Sequence, residues 1–361
     1  MKKNFTLFIG LLSVFIYGQD GAPASPYYDG FNWTTSGLSL KDALAEKITS
    51  THTNLLTYSP GVWEALRITD VDPNNSNNIL LVYGWEDGSD FDATNDRSRD
   101  KNNNGGNNGQ WNREHIFPQG LGNPSLGNTG PGADAHMLRS SDVQRNNNRG
   151  NRLFASGSGV QSYSIGTNNW YPGDEWKGDV ARIIMYMYLH YGNQCLPTLT
   201  ATGTLNSVDP NMVNLLLEWN AADPVSAVED FRNTYHNNTA NEYAQGNRNP
   251  FIDNPYLATV IWGGPAAQNR WPNIFLSSED FVLNNVAVFP NPSKNGEFSI
   301  TTTADLKNIV IYNVNGQIVQ EIKNPNAIET STYKVNNLST GFYMLQLQTE
   351  NTSITKKVIV N

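Results

Sequence analysis

Hydrophobic texture changes abruptly near residues 271–285, and the change dictates two separately packed bodies. Before it, apolar residues recur at helical spacing; after it, they fall in short alternating runs divided by turns. A helical period of 3.6 gives way to a strand period of 2, and so lasting a change of texture marks a domain boundary. A chain of 361 residues has enough apolar material for two cores.

In the first stretch, helices are expected over residues 38–56 (Leu40, Ala43, Leu44 and Ile48 inward, Ser39 as N-cap), 61–68, 174–191, 209–220 and 225–236. The run 78–83 predicts a buried strand, and 111–117 another. A short apolar piece at 135–138 follows, then a helix start marked by Ser140 or Ser141 followed by Asp142. Residues 87–109 are mostly Asp, Asn, Gly, Ser and Arg and predict a long mobile loop. Its acids Asp90, Asp92, Asp96 and Asp100 do not match the spacing of the common calcium loop, and a second metal there stays open. Residues 245–253 predict a polar turn that closes this body. Beyond 285, six short apolar runs and an Asn315-Gly316 turn predict an all-β sandwich. That part holds no His or Cys and so has no catalytic equipment.

At the N-terminus, Lys2 and Lys3 precede an apolar run over residues 5–17. This is the plan of a secretory signal peptide, with a mature chain starting near Gln19. The single cysteine, Cys195, allows no internal disulfide and is expected to be buried and inert. No internal apolar run approaches the roughly 20 residues of a membrane span. The net charge of -9 argues against a protein that coats nucleic acid. Locally the balance reverses: Arg139, Arg145, Arg149 and Arg152 face only Asp142. A basic cleft on an acidic body suits brief binding of a polyanion.

Chemistry concentrates in two clusters. The first is Asn112-Arg113-Glu114-His115 with Pro118; the second is Asp134, His136 and Arg139, followed by residues 146–151 (Asn-Asn-Asn-Arg-Gly-Asn). Glu114 and an asparagine amide offer the oxygen ligands that a hard cation takes. His115 offers a base, and the arginines offer positive charge for a phosphate. Together they supply the parts needed to hydrolyse a phosphodiester. Asn146 and Arg149 lie one turn apart on the expected helix and share a face.

Residues 40–262 resemble the secreted bacterial endonuclease I family of nonspecific nucleases. The residues that carry the likeness are the two clusters above, with Lys177-Gly178-Asp179-Val180-Ala181-Arg182, Asp223-Pro224-Val225-Ser226 and residues 245–253. The resemblance implies a ββα-metal (His-metal finger) site in an α+β fold with a mostly helical body. It implies Glu114 and Asn146 as ligands of Mg2+, with Mn2+ or Ca2+ as alternatives, and His115 as general base. Arg113, Arg139 and Arg149 are expected at the reacting phosphate and Arg145 and Arg152 along the substrate; which one clamps the phosphate stays open. Asp134, His136 and Asn151 are expected in supporting roles. Ala135 and Met137 stand where many relatives carry Leu and His, which removes a second imidazole.

The last 76 residues are similar to the C-terminal sorting domain of the type IX secretion system of Bacteroidetes. Phe289-Pro290-Asn291-Pro292, Gly341-Phe342-Tyr343 and the terminal Lys-Lys-Val-Ile-Val carry that likeness. The expected plan is a signal peptide (1–18), an endonuclease domain (19–277), a linker (278–285) and a sorting domain (286–361). The expected protein is a secreted, monomeric endonuclease acting on DNA, with RNA left open as a second substrate, exported by the type IX machinery. A metal phosphoesterase on small esters and a noncatalytic DNA-binding surface protein are the alternative readings.

Overall fold

A computed structural model describes residues 21–275, 286–302, 305–325, 332–349 and 353–361. The expected signal peptide and linker lie outside the described residues. The chain divides into two compact units at Trp271/Pro272.

In the first unit helices outweigh the short strands but fill well under half of the residues, so it is an α+β body and not the mostly helical one expected. In chain order it comprises α1 (Gly37–Thr51), α2 (Trp63–Thr69), β1 (Val71–Asp72), β2 (Asn75–Leu80), β3 (Ser98–Asp100), β4 (Trp111–His115), β5 (Leu138–Asp142), α3 (Val143–Arg149), β6 (Leu153–Phe154), β7 (Tyr163–Ile165), β8 (Asn169–Tyr171), α4 (Lys177–Tyr191), α5 (Asn214–Ala222), α6 (Ala227–Asn237), α7 (Pro250–Asp253) and α8 (Tyr256–Trp262). Its strands form three small sheets, β1-β2-β3, β4-β5 and β6-β8-β7. Several are too short or too polar to show an alternating pattern; β2 reads Asn-Ser-Asn-Asn-Ile-Leu.

The central element is α4, with Gly178 through Leu189 all buried. A helix that is apolar nearly all round must sit inside the molecule, and α4 packs against α1, α5 and α7. Each Ile, Leu or Met so buried contributes about 1.5–3 kcal/mol. Two charged residues of α4 are buried with the rest and find partners. Arg182 pairs with Glu229 at 2.6 Å, and Asp179 with Arg139 at 2.7 Å. Arg139 also reaches Asp70 at 3.1 Å, and Arg232 bonds Asp70, the Ala135 carbonyl (2.7 Å) and the Leu138 carbonyl (3.0 Å). This buried network anchors β5, and β5 pairs along its length with β4. The site strand is thereby tied to the core.

Two local expectations change. Helix α1 begins at Gly37, after Ser36, so Ser39 lies inside it and is not its cap. The Asp-rich segment is pinned in place. Its β3 pairs with β2, and Arg99 donates to Asp142 at 2.7 Å and to the Gln110 carbonyl at 2.9 Å. Asp90 and Asp92 accept nearby backbone N–H groups, the ordinary work of turn carboxylates.

The second unit contains β9 (Ala287–Lys294), β10 (Glu297–Thr301), β11 (Asn308–Asn313), β12 (Ile318–Lys323), β13 (Thr332–Val335), β14 (Gly341–Gln348) and β15 (Ser353–Val360). They join in the order β12-β11-β14-β15-β9-β10-β13, a β-sandwich or half-barrel. Alternate residues such as Ile309, Ile311, Leu345 and Leu347 build its core. The β11–β12 turn holds Asn315-Gly316, with Gly316 at φ +76° where a side chain would be strained. Strand β13 was missed because four residues, Thr-Tyr-Lys-Val, carry too little pattern.

Candidate active site

Strand β4, its partner β5 and helix α3 form the predicted strand–loop–strand–helix unit. Helix α3 is capped by Asp142, which accepts from the Arg145 N–H, while Ser140 and Ser141, the expected start, still belong to β5. Alternation along β4 sends its side chains to two faces. Trp111, Arg113 and His115 meet the segment 58–63: Trp111 contacts Trp63, Arg113 lies over Tyr58 and Trp63, and His115 stacks on Tyr58 at 5.6 Å. Asn112 and Glu114 face α3, where they meet Asn146 and Arg149.

The Glu114 carboxylate is buried and accepts from the Tyr83 hydroxyl at 2.9 Å. Burial raises it to about 7, against the pull of Arg149 3.1 Å away. A cation beside it would restore its charge. The Asn146 amide nitrogen donates to Asn112 Oδ1 at 2.7 Å and to the Arg113 carbonyl at 3.3 Å. This turns the amide by its nitrogen and leaves Oδ1 without a protein donor among the described residues. A carboxylate and an amide oxygen are the donors a hard divalent cation takes. Both residues line one cleft of about 220 Å³, together with His115, Gln119, Asn147 and Asn151. The residues present therefore fit a divalent metal.

His115 Nε2 lies 3.0 Å from the Gly132 carbonyl. A carbonyl only accepts, so Nε2 carries the hydrogen and Nδ1 keeps a lone pair. Burial, with Arg113 and Arg149 nearby, lowers this imidazole to about 4. It is neutral, and thus a base, at neutral pH. Gly132 is itself packed against residues 126–127, where a Cβ would lie 1.8 Å from the Gly127 carbonyl oxygen.

The arginines divide. Arg149 is fully buried and donates to the carbonyls of His115 and Ile116, each at 2.9 Å. Arg113 is half-buried, donates to the Tyr58 carbonyl and to Ser59 Oγ, and borders the cleft. The structure does not bring Arg139 to the cleft, because Asp70 and Asp179 hold it in the core. Arg145 bonds Thr94 and lies over Trp85, while Arg152 bonds the Asn148 carbonyl and lines a neighbouring recess with Asn151. Sequence reasoning missed Tyr58, Tyr83 and the Gly132 carbonyl. Tyr83 was read as the end of an apolar strand; its φ of +75° marks where the chain leaves that path.

The sequence pattern described as Endonuclease I matches residues 36–256. The chain belongs to the Endonuclease I family. As a member of that family it is a nuclease, a phosphodiester hydrolase that acts on nucleic acid. It is 43% identical over 257 residues to an extracellular ribonuclease of Bacillus subtilis (strain 168), covering 67% of this chain and 82% of that one. An extracellular ribonuclease of Bacillus amyloliquefaciens is 43% identical over 237 residues, covering 63% and 75%. Residues 287–361 match the secretion system C-terminal sorting domain, which marks this Endonuclease I chain for export by type IX secretion. No helix among the described residues is long and apolar enough to cross a membrane.

His136 and Asp134 stand behind the site. His136 Nε2 donates to the Asn247 carbonyl at 3.1 Å, and Asp134 accepts from Tyr186 and Tyr191, each at 2.8 Å. Burial lowers His136 to about 4 and His236 well below the ordinary range. Their folded values lie below the unfolded one, so the unfolded chain takes up protons first. Stability should be full above about pH 6.5 and fall as pH drops toward 4, by roughly 1.4 kcal/mol per pH unit for each histidine. Thermal melts at pH 7, 6, 5 and 4.5 check this; an unchanged melting temperature over that window would contradict it.

Proposed function

We propose that this nuclease is metal-dependent and cuts both DNA and RNA within the chain, with little sequence preference. The observation that carries the reading is the one cleft that gathers Glu114, Asn146 and His115, with the His115 Nε2 fixed on the Gly132 carbonyl so that Nδ1 keeps its lone pair. His115 would take a proton from the attacking water. Glu114 and Asn146 would hold the cation, magnesium by the oxygen donor set, with manganese or calcium as substitutes. When bound, the cation supplies charge stabilisation for the phosphate and the leaving oxygen. Arg149 holds the backbone carbonyls of the base and its neighbour, so its role is to position. Arg113 is the side chain we assign to the phosphate, because it is half-exposed at the cleft rim beside His115.

Low specificity is supported by the arginine we assign to the substrate, Arg113, which stands at the cleft rim to meet a phosphate, a contact that carries no sequence information. The ribonuclease names of the two relatives support RNA as a substrate. We read residues 1–18 as a signal peptide, 19–277 as the nuclease, 278–285 as linker and 286–361 as the sorting domain.

A substrate panel tests the reading. Supercoiled plasmid, single-stranded RNA and a chromogenic phosphodiester are offered to the protein with magnesium. Cleavage of both polymers at comparable rates, with the small ester far slower, is expected. Turnover of the small ester alone would point to a phosphoesterase, and cleavage of RNA alone would remove DNA from the substrate range.

A further inference from the structure

Four of the five histidines take no part in the cleft, and all four gather near Asp134. His52 Nδ1 lies 2.7 Å from His190 Nε2, and each of these nitrogens is 4.0 Å from Asp134 Oδ2. The carboxylate is fully buried and the two imidazoles are nearly so, each side chain 5–6% exposed. Next to them, His236 is fully buried with neither ring nitrogen partnered.

We propose that His52, Asp134 and His190 form a second metal site, distinct from the nuclease cleft, that takes zinc or a similar borderline transition-metal ion and holds the fold together. Two imidazole nitrogens and one carboxylate oxygen are donors that suit zinc, whereas magnesium favours oxygen alone. The geometry is close to what the ion needs. Ligand atoms about 2.0–2.2 Å from a tetrahedral zinc lie roughly 3.3 Å apart. The present separations of 2.7, 4.0 and 4.0 Å bracket that value.

The surroundings also set the ligand nitrogens. Thr49 Oγ1 lies 3.2 Å from His190 Nδ1 and can accept that hydrogen, leaving the Nε2 lone pair toward His52. Tyr186 and Tyr191 fix the carboxylate by donating to Asp134 Oδ2, each at 2.8 Å. The three ligands come from distant segments: His52 caps the end of α1, His190 sits in the last turn of α4, and Asp134 precedes β5. An ion here would tie all three in a chain whose single cysteine permits no internal disulfide. It would also steady the loop whose Gly132 carbonyl holds His115, two residues from Asp134.

The test uses the full-length protein, purified without a histidine tag and gel-filtered in metal-free buffer. Bound metal is measured by mass spectrometry, and the protein is then loaded with Co2+ and its visible spectrum recorded. Wild type and Glu114→Gln should each retain about one zinc per chain and, with a water as fourth ligand, give the intense visible band of four-coordinate cobalt. His52→Gln and His190→Gln should retain at least about tenfold less zinc and lose the band. Folded wild type that keeps no zinc and shows no cobalt band would overturn the proposal and leave a hydrogen-bonded His–His–Asp cluster. Zinc retained by both histidine variants, or lost with Glu114→Gln, would overturn it equally. If a histidine variant does not fold, the wild-type stoichiometry and spectrum decide alone.

Discussion

Replacing His115 with alanine should lower the rate of plasmid and RNA cleavage by about 10²–10⁴-fold, the usual effect of removing a general base. The loss should fall on the rate of the chemical step. Glu114, Asn146 and Arg113 remain to hold cation and phosphate, so substrate binding should change little. The fold should survive, since the ring makes one hydrogen bond, to the Gly132 carbonyl, and stacks on Tyr58 at the edge of the cleft. Single-turnover cleavage with circular dichroism as a folding control measures this. A folded variant within a few-fold of wild type would mean that another group activates the water.

Arg149→Met should destabilise the first unit by roughly 3–5 kcal/mol, the cost of leaving a buried charge without its partner. In a body of this size that is a fall in melting temperature of about 10 °C or more. Methionine fills much of the volume over the Phe154 ring, so lost packing is a minor part. What is lost is the donor set. The carbonyls of His115 and Ile116 go unpaired, and the buried Glu114 carboxylate loses its cation. Glu114, already raised to about 7, would then rise further and hold metal less well. Arg152→Met is the control, because that side chain bonds only carbonyls of its own chain turn and is partly exposed; its effect should stay within about 0.5 kcal/mol. Equal melting temperatures for the two variants would contradict the positioning role of Arg149.

The two predictions rest on residues that the sequence announced with unequal clarity. Glu114 and His115 are adjacent, and alternation on a strand sends them to opposite faces of the same hairpin. That is why a two-residue motif could point to a ligand and a base. Asn146 and Arg149 were readable as one helical face because a capping aspartate precedes them. The arginine roles were not readable. A run of four arginines looks like a basic surface, yet Arg139 is neutralised by Asp70 and Asp179, which lie 69 and 40 residues away in the chain. Distant partners of that kind leave no local pattern. The Gly132 carbonyl is invisible for a simpler reason, since every residue has one. Strand β4 and the end of β2 were legible, but β3 and β6 to β8 are two or three residues long and the start of β2 is Asn-rich, so pairing with a neighbour, and not residue preference, decides their conformation. In the tail, regular alternation over longer strands made the β architecture plain.

The central claim is that Glu114 and Asn146 hold a divalent cation on which cleavage depends. The direct measurement is plasmid nicking by the gel-filtered protein in chelator, then with Mg2+ restored over a range of concentrations, for wild type beside Glu114→Gln. Wild type should be silent in chelator and recover fully with Mg2+. Glu114→Gln should stay at least about a hundredfold slower, or need far more Mg2+ to approach wild type. Wild-type cleavage that persists in chelator, or a Glu114→Gln variant with the wild-type Mg2+ response, would contradict the assignment.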